Sequence, residues 1–325
     1  MRRRLSGHPA VLLAALALFS AGYAPTLFAA FGREAAGTTG SDFLNLDVGA
    51  RGIGMGGAFS TAVNDATAIY WNPAALTRIS KFSANAMHNA YLADIQSDFA
   101  SYAHRLDEEH VIAVAMHHIN IGGITQTDIS GSTLGEFNPK NTVYSLAVGR
   151  TIFDMTDGER EVDLGITGKF FSSQIVEKAS GWGVDVGILV SYFGRIPNRL
   201  GVQVQNLGQG QKFDQKRDPL PAAFKFGGSL TPAPGILFSA DVTVPQGGQI
   251  RGAVGTELSI VTPEETDLRA AIRGGIDTEA FKDQPGFSGV SMGLGFSFAH
   301  LAIDYAYVPF GELGNTQRIS LSFGF

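Results

Sequence analysis

The sequence predicts an all-β fold: a transmembrane antiparallel β-barrel of about 14 strands with an N-terminal hatch or plug segment in the lumen. Three observations carry this. From Lys81 onward the chain repeats runs in which apolar and polar side chains alternate, each run closed by a polar or glycine-containing turn. Several runs reach ten residues or more, where a soluble strand averages ~5–6 and a barrel strand crosses a bilayer in ~10. Aromatic residues collect near the run ends (Tyr91, Tyr102, Tyr144, Phe153, Phe193, Tyr307, Phe310), as the two interfaces of a membrane barrel require. An even strand count that closes on a C-terminal strand also leaves no exposed sheet edge. A secreted sandwich or propeller is the soluble alternative, with the same alternation turned apolar side in.

Composition fits this reading. The 325 residues include 41 glycines, 23 phenylalanines and no cysteine, with 17% charged residues and a mean hydropathy of +0.09. Disulfides are therefore excluded. No basic cluster or stripe is present to neutralise phosphates, so no nucleic-acid partner is expected.

Residues 1–30 read as a secretory signal peptide. Arg2, Arg3 and Arg4 precede an apolar core from Val11 to Ala21, and small residues recur at Ala24, Ala29 and Ala30. That core falls short of the ~20 residues a spanning helix needs. Without these three arginines the 24 basic residues become 21 against 30 acidic, a formal charge of −9 instead of −6.

Residues 31–80 are expected to form the plug. The stretch from Gly40 to Leu76 is glycine-dense, low in charge and without the strand alternation that follows it. Gly52, Gly54, Gly56 and Gly57 suit close packing of backbone against a strand wall. Ala58 to Ile69 suits a slim short helix, which Trp71, Asn72 and Pro73 would end because the residue before proline leaves the α region. Asn72 is placed to hydrogen-bond the local backbone in an Asx-type turn. Arg51 and Asp65 are candidates for ion-paired tethers in the lumen.

The barrel is expected over residues 81–325. Its runs begin at Phe82–Ala90, Ser97–Leu106 and Glu109–Asn120, followed by a long Gly/Ser/Thr-rich loop, Ile121 to Pro139. Asn141–Ile152, Val162–Phe171, Trp182–Phe193 and Leu200–Asn206 come next, then a loop over Gly208–Pro221. In the run from Trp182, one face holds Trp182, Val184, Val186, Ile188, Val190 and Tyr192, and the other Gly183, Asp185, Gly187 and Ser191. The remaining runs are Ala222–Leu230, Ile236–Val244, Ile250–Ile260, Asp267–Ile276, Ser288–Phe298, Leu301–Val308 and Thr316–Phe325, with a loop over Asp277–Phe287. The last run ends on an aromatic, and Phe323 and Phe325 stand as a C-terminal barrel signal.

The block Gly49, Ala50, Arg51, Gly54, Met55, Gly56, Gly57, Ala58, Phe59, Asp65, Ala66, Ala68, Tyr70, Trp71, Asn72, Pro73, Ala74 and Leu76 resembles the N-terminal region of the PorV/PorQ family of outer-membrane proteins. That family is itself similar to the FadL-like barrel superfamily. Asn64 stands where the family pattern often has an acid, and Ala75 where it often has glycine. The resemblance implies a fourteen-stranded barrel with a hatch in its lumen, placed in the outer membrane of a Gram-negative-type bacterium. It marks Gly49, Arg51, Gly54, Met55, Gly56, Gly57, Asp65, Trp71, Asn72 and Pro73 as the hatch motif. It also implies binding or shuttling of exported cargo proteins with other components of type IX secretion. The alternative is FadL-like transport of hydrophobic small molecules, with outer-membrane lipid around the barrel and a hydrophobic ligand in the lumen. The shortness of the chain favours the first.

No enzyme is expected, nor any catalytic, cofactor or metal site. Gly52, Gly54 and Gly57 fit a dinucleotide fingerprint in form, but no strand precedes them and no acid follows at the required ~20 residues. His117 and His118 are adjacent and so face opposite sides of a strand; no spacing brings three histidines together. No serine sits in a nucleophile elbow.

Overall fold

The computed structural model describes residues 41–92, 95–154, 160–175, 177–213, 217–261, 267–278 and 289–324. The expected signal peptide, most of the loop Asp277–Phe287 and Phe325 lie outside these residues.

Among the described residues sixteen strands form. They are β1 (Phe82–Ala90), β2 (Gln96–Arg105), β3 (His110–Asn120), β4 (Ile124–Thr127), β5 (Thr133–Phe137), β6 (Lys140–Asp154), β7 (Arg160–Gln174) and β8 (Lys178–Tyr192). Then follow β9 (Asn198–Gln209), β10 (Ala223–Ala233), β11 (Ile236–Pro245), β12 (Arg251–Val261), β13 (Leu268–Asp277), β14 (Val290–Phe298), β15 (Leu301–Pro309) and β16 (Asn315–Gly324). All but β4 and β5 pair with sequence neighbours into one closed barrel of 14 strands, sealed where β1 meets β16 with Ala86 opposite Leu321. Closure leaves no ladder edge unpaired.

The alternation read from the sequence is the alternation of the wall. In β8, Trp182, Val186 and Val190 are exposed, while Gly183, Asp185, Gly187 and Ser191 are buried. The same holds around the circumference, where Val114, Leu146, Ile166, Leu200, Phe226, Val254, Ile272, Leu294, Ile303 and Ile319 all point outward and exposed. A monomer in water rarely shows an apolar patch beyond a few hundred Å². Around a whole barrel such a surface is a lipid face.

Each rim of this face carries aromatics. Tyr144, Phe170 and Trp182 stand in one cross-strand row toward the loop end. At the opposite end, Phe82 lies 6.5 Å from Tyr102 and 5.8 Å from Phe323, ring to ring.

Two expectations change. The segment Ile121–Pro139 is not a plain loop, since β4 and β5 pair within it as a separate hairpin. Its turn is pinned by Asp128, whose Oδ1 accepts N–H bonds from Ser130 and Ser132 at 2.8 Å each. The Ser130 hydroxyl and these backbone groups hold the Asp128 carboxyl below the usual range. Alternation in a four-residue strand exposed on both faces gives no periodic signal. The helix expected over Ala58–Ile69 does not form either. Single helical turns form at Ala50–Gly54 and Ala68–Trp71. Between them the backbone donors are claimed by other groups: Phe59 and Ser60 donate to Asp241 on the wall, Ala66 to Ser83, and Thr67 to Asp65. A helix would leave the Phe59 and Ser60 donors free at its first turn but would have to give up the Ala66 and Thr67 bonds.

Candidate functional site

Residues 41–78 lie inside the barrel and cross from one wall to the other. The turn at Ala50–Gly54 packs on β13 to β16, and the 3-10 helix Pro73–Arg78 packs on β3, β6, β7 and β8. Trp71 is its own small core. Its indole Nε1 donates to the Val48 carbonyl at 3.0 Å, and Phe59 and Tyr70 stack edge-on against it at 5.7 and 5.2 Å. A Cβ on Gly52 would come within 2.8 Å of the indole, so glycine is what allows this closeness.

Asn72 and Pro73 end this core as a unit. Asn72 is extended (φ −166°), its Oδ1 accepts from the Ala74 N–H at 3.1 Å, and Pro73 starts the next helix where its missing N–H costs nothing. The Asx turn expected at this position is present.

Among the polar fastenings that join the segment to the wall, three use carboxylates of the wall. Arg51 makes a bidentate pair with Glu257 of β12 at 2.8 and 2.9 Å and reaches Asn64 at 2.6 Å. Glu257 is shared with Arg273 of β13 at 2.6 Å, and Arg273 holds Asp304 of β15 at 2.7 Å. Two guanidiniums and two carboxylates thus balance in one chain of buried contacts. Burial works against the Arg51 charge, but the Glu257 carboxylate more than offsets it and raises the guanidinium pKa above its ordinary value. On the opposite side Arg78 pairs with Asp163 and Glu161 of β7, both at 2.8 Å. Between them Asp241 of β11 accepts from the Ser60 hydroxyl at 2.8 Å and the Ser60 N–H at 3.0 Å. A carboxylate taking several donors compensates its own desolvation.

The wall is bare where the segment touches it. Gly149, Gly165, Gly187, Gly201, Gly255, Gly275 and Gly293 occupy buried, lumen-side positions of their strands. Gly149 is paired with Gly165, Gly165 with Gly187, and Gly255 with Gly275. A Cβ on Gly165 would overlap the Pro73 carbonyl carbon, one on Gly187 the Asn72 Oδ1, and one on Gly275 the Met55 carbonyl carbon. From the other side, a Cβ on Gly56 would stand 2.6 Å from the Ile276 nitrogen, and Gly56 has φ +69°, open to few other residues. Gly54 meets Gly293 the same way at 3.0 Å.

Of the residues expected to make the hatch, Gly49, Arg51, Gly54, Met55, Gly56, Gly57, Trp71, Asn72 and Pro73 come together in this seat. Asp65 is not an ion-paired tether. Its Oδ1 accepts from the Thr67 N–H and hydroxyl, a local cap at the start of the Ala68–Trp71 turn. Phe323 lies on the outer wall in the aromatic rim. The sequence reading did not pick out the receiving half of the site, Glu257, Arg273, Asp304, Asp241 and the wall glycines. A signal existed: charged or glycine residues on the inward register of long strands, visible in Gly183, Asp185 and Gly187.

A cavity of about 20 Å³ remains between the segment and β2, β3, β6 and β7, bordered by Leu44, Tyr70, Phe99, His117 and Lys169. That is room for about one water. Among the described residues no three metal-ligand side chains cluster. The histidines have local partners, with His117 Nε2 2.7 Å from Ser97 Oγ and His118 Nδ1 3.0 Å from Thr142 Oγ1.

No protein-family model matches the chain, and no curated protein matches it in sequence. Solved structures do match in three dimensions. A Pseudomonas aeruginosa FadL homologue superposes with a TM-score of 0.54 at 13% identity, over 86% of this chain and 98% of the other. The Ralstonia pickettii toluene transporter TbuX gives 0.53 at 12% identity, over 86% and 98%. The CymD monoaromatic hydrocarbon channel gives 0.52 at 12%, over 86% and 97%. At such identity the likeness is one of fold, and the fold is the closed fourteen-stranded barrel of the FadL-like structures.

Proposed function

We propose that the protein is an outer-membrane channel for small hydrophobic molecules, exported on residues 1–30 and built as a barrel (residues 81–325) closed by a plug (residues 31–80). The observation that carries this reading is the way residues 41–78 sit in the lumen. They are held by separable polar fastenings and by contact with bare glycine, and they share no strand pairing with the wall. Such a seat can be left and regained without breaking the barrel ladder. The nature of the passenger is suggested by the fold neighbours, since TbuX is a toluene transporter and CymD a monoaromatic hydrocarbon channel. Bilayer lipid surrounds the barrel, and a hydrophobic ligand is its substrate.

A second reading keeps the type IX secretion role implied by the PorV/PorQ resemblance of the N-terminal block. One observation favours it. The β4–β5 hairpin forms a sheet separate from the barrel, with Ile129 fully and Leu134 largely exposed, a surface suited to exported cargo or other secretion components.

Uptake separates the two. Cells carrying the protein in the outer membrane should accumulate radiolabelled toluene several-fold faster than cells without it, with a smaller gain for a hydrophilic sugar. Equal toluene uptake, together with crosslinks from the hairpin to exported proteins sharing a C-terminal domain, would instead establish the second reading.

A further inference from the structure

The outer wall where the barrel closes is hollowed. Ala86 of β1 and Ala100 of β2 are directly paired and face the lipid, and Leu321 of β16 and Met116 of β3 flank them in the same cross-strand row. The row continues as Tyr144, Phe170 and Trp182 on one side and as Ile303 and Phe296 on the other, so the two methyl groups sit between large side chains. A depression of about 510 Å³ results, within the ~300–1,000 Å³ of small-molecule sites. Nearly all of its lining is apolar, but its loop-end margin is not. One row above the alanines stand His88, Asp98, His118 and Thr142, paired across β1, β2, β3 and β6. His88 Nδ1 lies 2.6 Å from Asp98 Oδ1, and both side chains are more than half exposed. An ionised carboxylate on a lipid face is tolerated near the interface and costs more toward the bilayer centre. This row therefore marks the level at which headgroups begin.

We propose that this hollow is a binding site for one acyl chain of a glycerophospholipid, with its headgroup at the His88–Asp98 row. The apolar floor and the polar margin lie in the order in which a lipid presents chain and headgroup. The exposed Asp98 carboxylate favours a headgroup that carries an ammonium, as phosphatidylethanolamine does. The site depends on the barrel spanning a bilayer and is independent of what passes through the lumen.

The test is native mass spectrometry of the full-length protein in detergent, stripped and then titrated with dipalmitoyl phosphatidylethanolamine. The wild type should retain one lipid after the others leave, and Ala100→Phe, which fills the hollow, should weaken that binding at least ten-fold. Ala240→Phe, on the outer face of β11, should leave it unchanged. Ala86→Leu serves if Ala100→Phe loses the gel-mobility shift of a folded barrel. Retention of no lipid by the wild type, or equal retention by the filled variants, would overturn the proposal; a drop with phosphatidylglycerol equal to that with phosphatidylethanolamine would overturn the headgroup assignment.

Discussion

Gly165→Val and Gly275→Val should each unseat the plug while leaving the barrel closed. Each new Cβ would meet backbone: the Pro73 carbonyl carbon in one case, the Met55 carbonyl carbon and Gly56 nitrogen in the other. Backbone cannot swing aside as a flexible side chain can, so the cost falls on the position of the whole segment. Overpacking costs ~1–3 kcal/mol where side chains can adjust, and more is expected where they cannot. The strands themselves should tolerate valine, a good strand former. Gly168→Val is the control, for it lies on the same strand facing outward with no heavy atom nearer than 3.9 Å. The measurement is sensitivity of cells to a large hydrophilic antibiotic, with heat-modifiable gel mobility to verify folding. A several-fold rise for the two lumen variants and none for Gly168→Val is the expected pattern; no rise in either lumen variant would mean that the segment is not seated as described.

Glu257→Gln should loosen the same segment from its other side. The Glu257 carboxylate takes both Arg51 contacts and the Arg273 contact. An amide offers one acceptor oxygen and turns a pair of donors toward two guanidiniums. Removing one partner of a buried ion pair costs ~3–5 kcal/mol, much of it the penalty of the charge left behind. Here two cations share the loss, although Arg273 keeps Asp304 at 2.7 Å. The expected result is faster amide hydrogen exchange across residues 50–66 with unchanged exchange in β6 to β8. Arg51→Met added to Glu257→Gln should recover part of the loss, because the two changes act on one contact and do not add. Unchanged exchange in residues 50–66 would show that this pair does not hold the plug.

The barrel was legible because its physics is periodic. A two-residue period with an apolar outward face fixes strand, register and lipid side together, and the run from Trp182 to Phe193 showed this within a few residues of its true limits, Lys178–Tyr192. The local structure of residues 41–78 was legible for another reason. Trp71 and Asn72-Pro73 serve contacts close in the chain, such as the Asn72 cap on Ala74 and the indole bond to Val48, and the glycines mark close backbone approach without naming the wall they approach. What could not be read were the long-range partners. Nothing near Arg51 in the chain points to Glu257, 206 residues away, and nothing near Ser60 points to Asp241. The helix expected at Ala58–Ile69 failed partly on the same ground, since its alanines favour a helix locally while Ser83 of the wall takes the Ala66 N–H and Asp65 takes that of Thr67. Asp65 was misjudged in the opposite direction, as a remote tether where a local cap suffices.

Conductance of the purified barrel in planar bilayers, with and without residues 40–76, reports directly whether this segment closes the lumen. The intact protein should be closed or nearly so to small ions, and the deletion should open a steady aqueous pore through the lumen. Equal conductance of the two proteins would mean that the segment does not close the barrel.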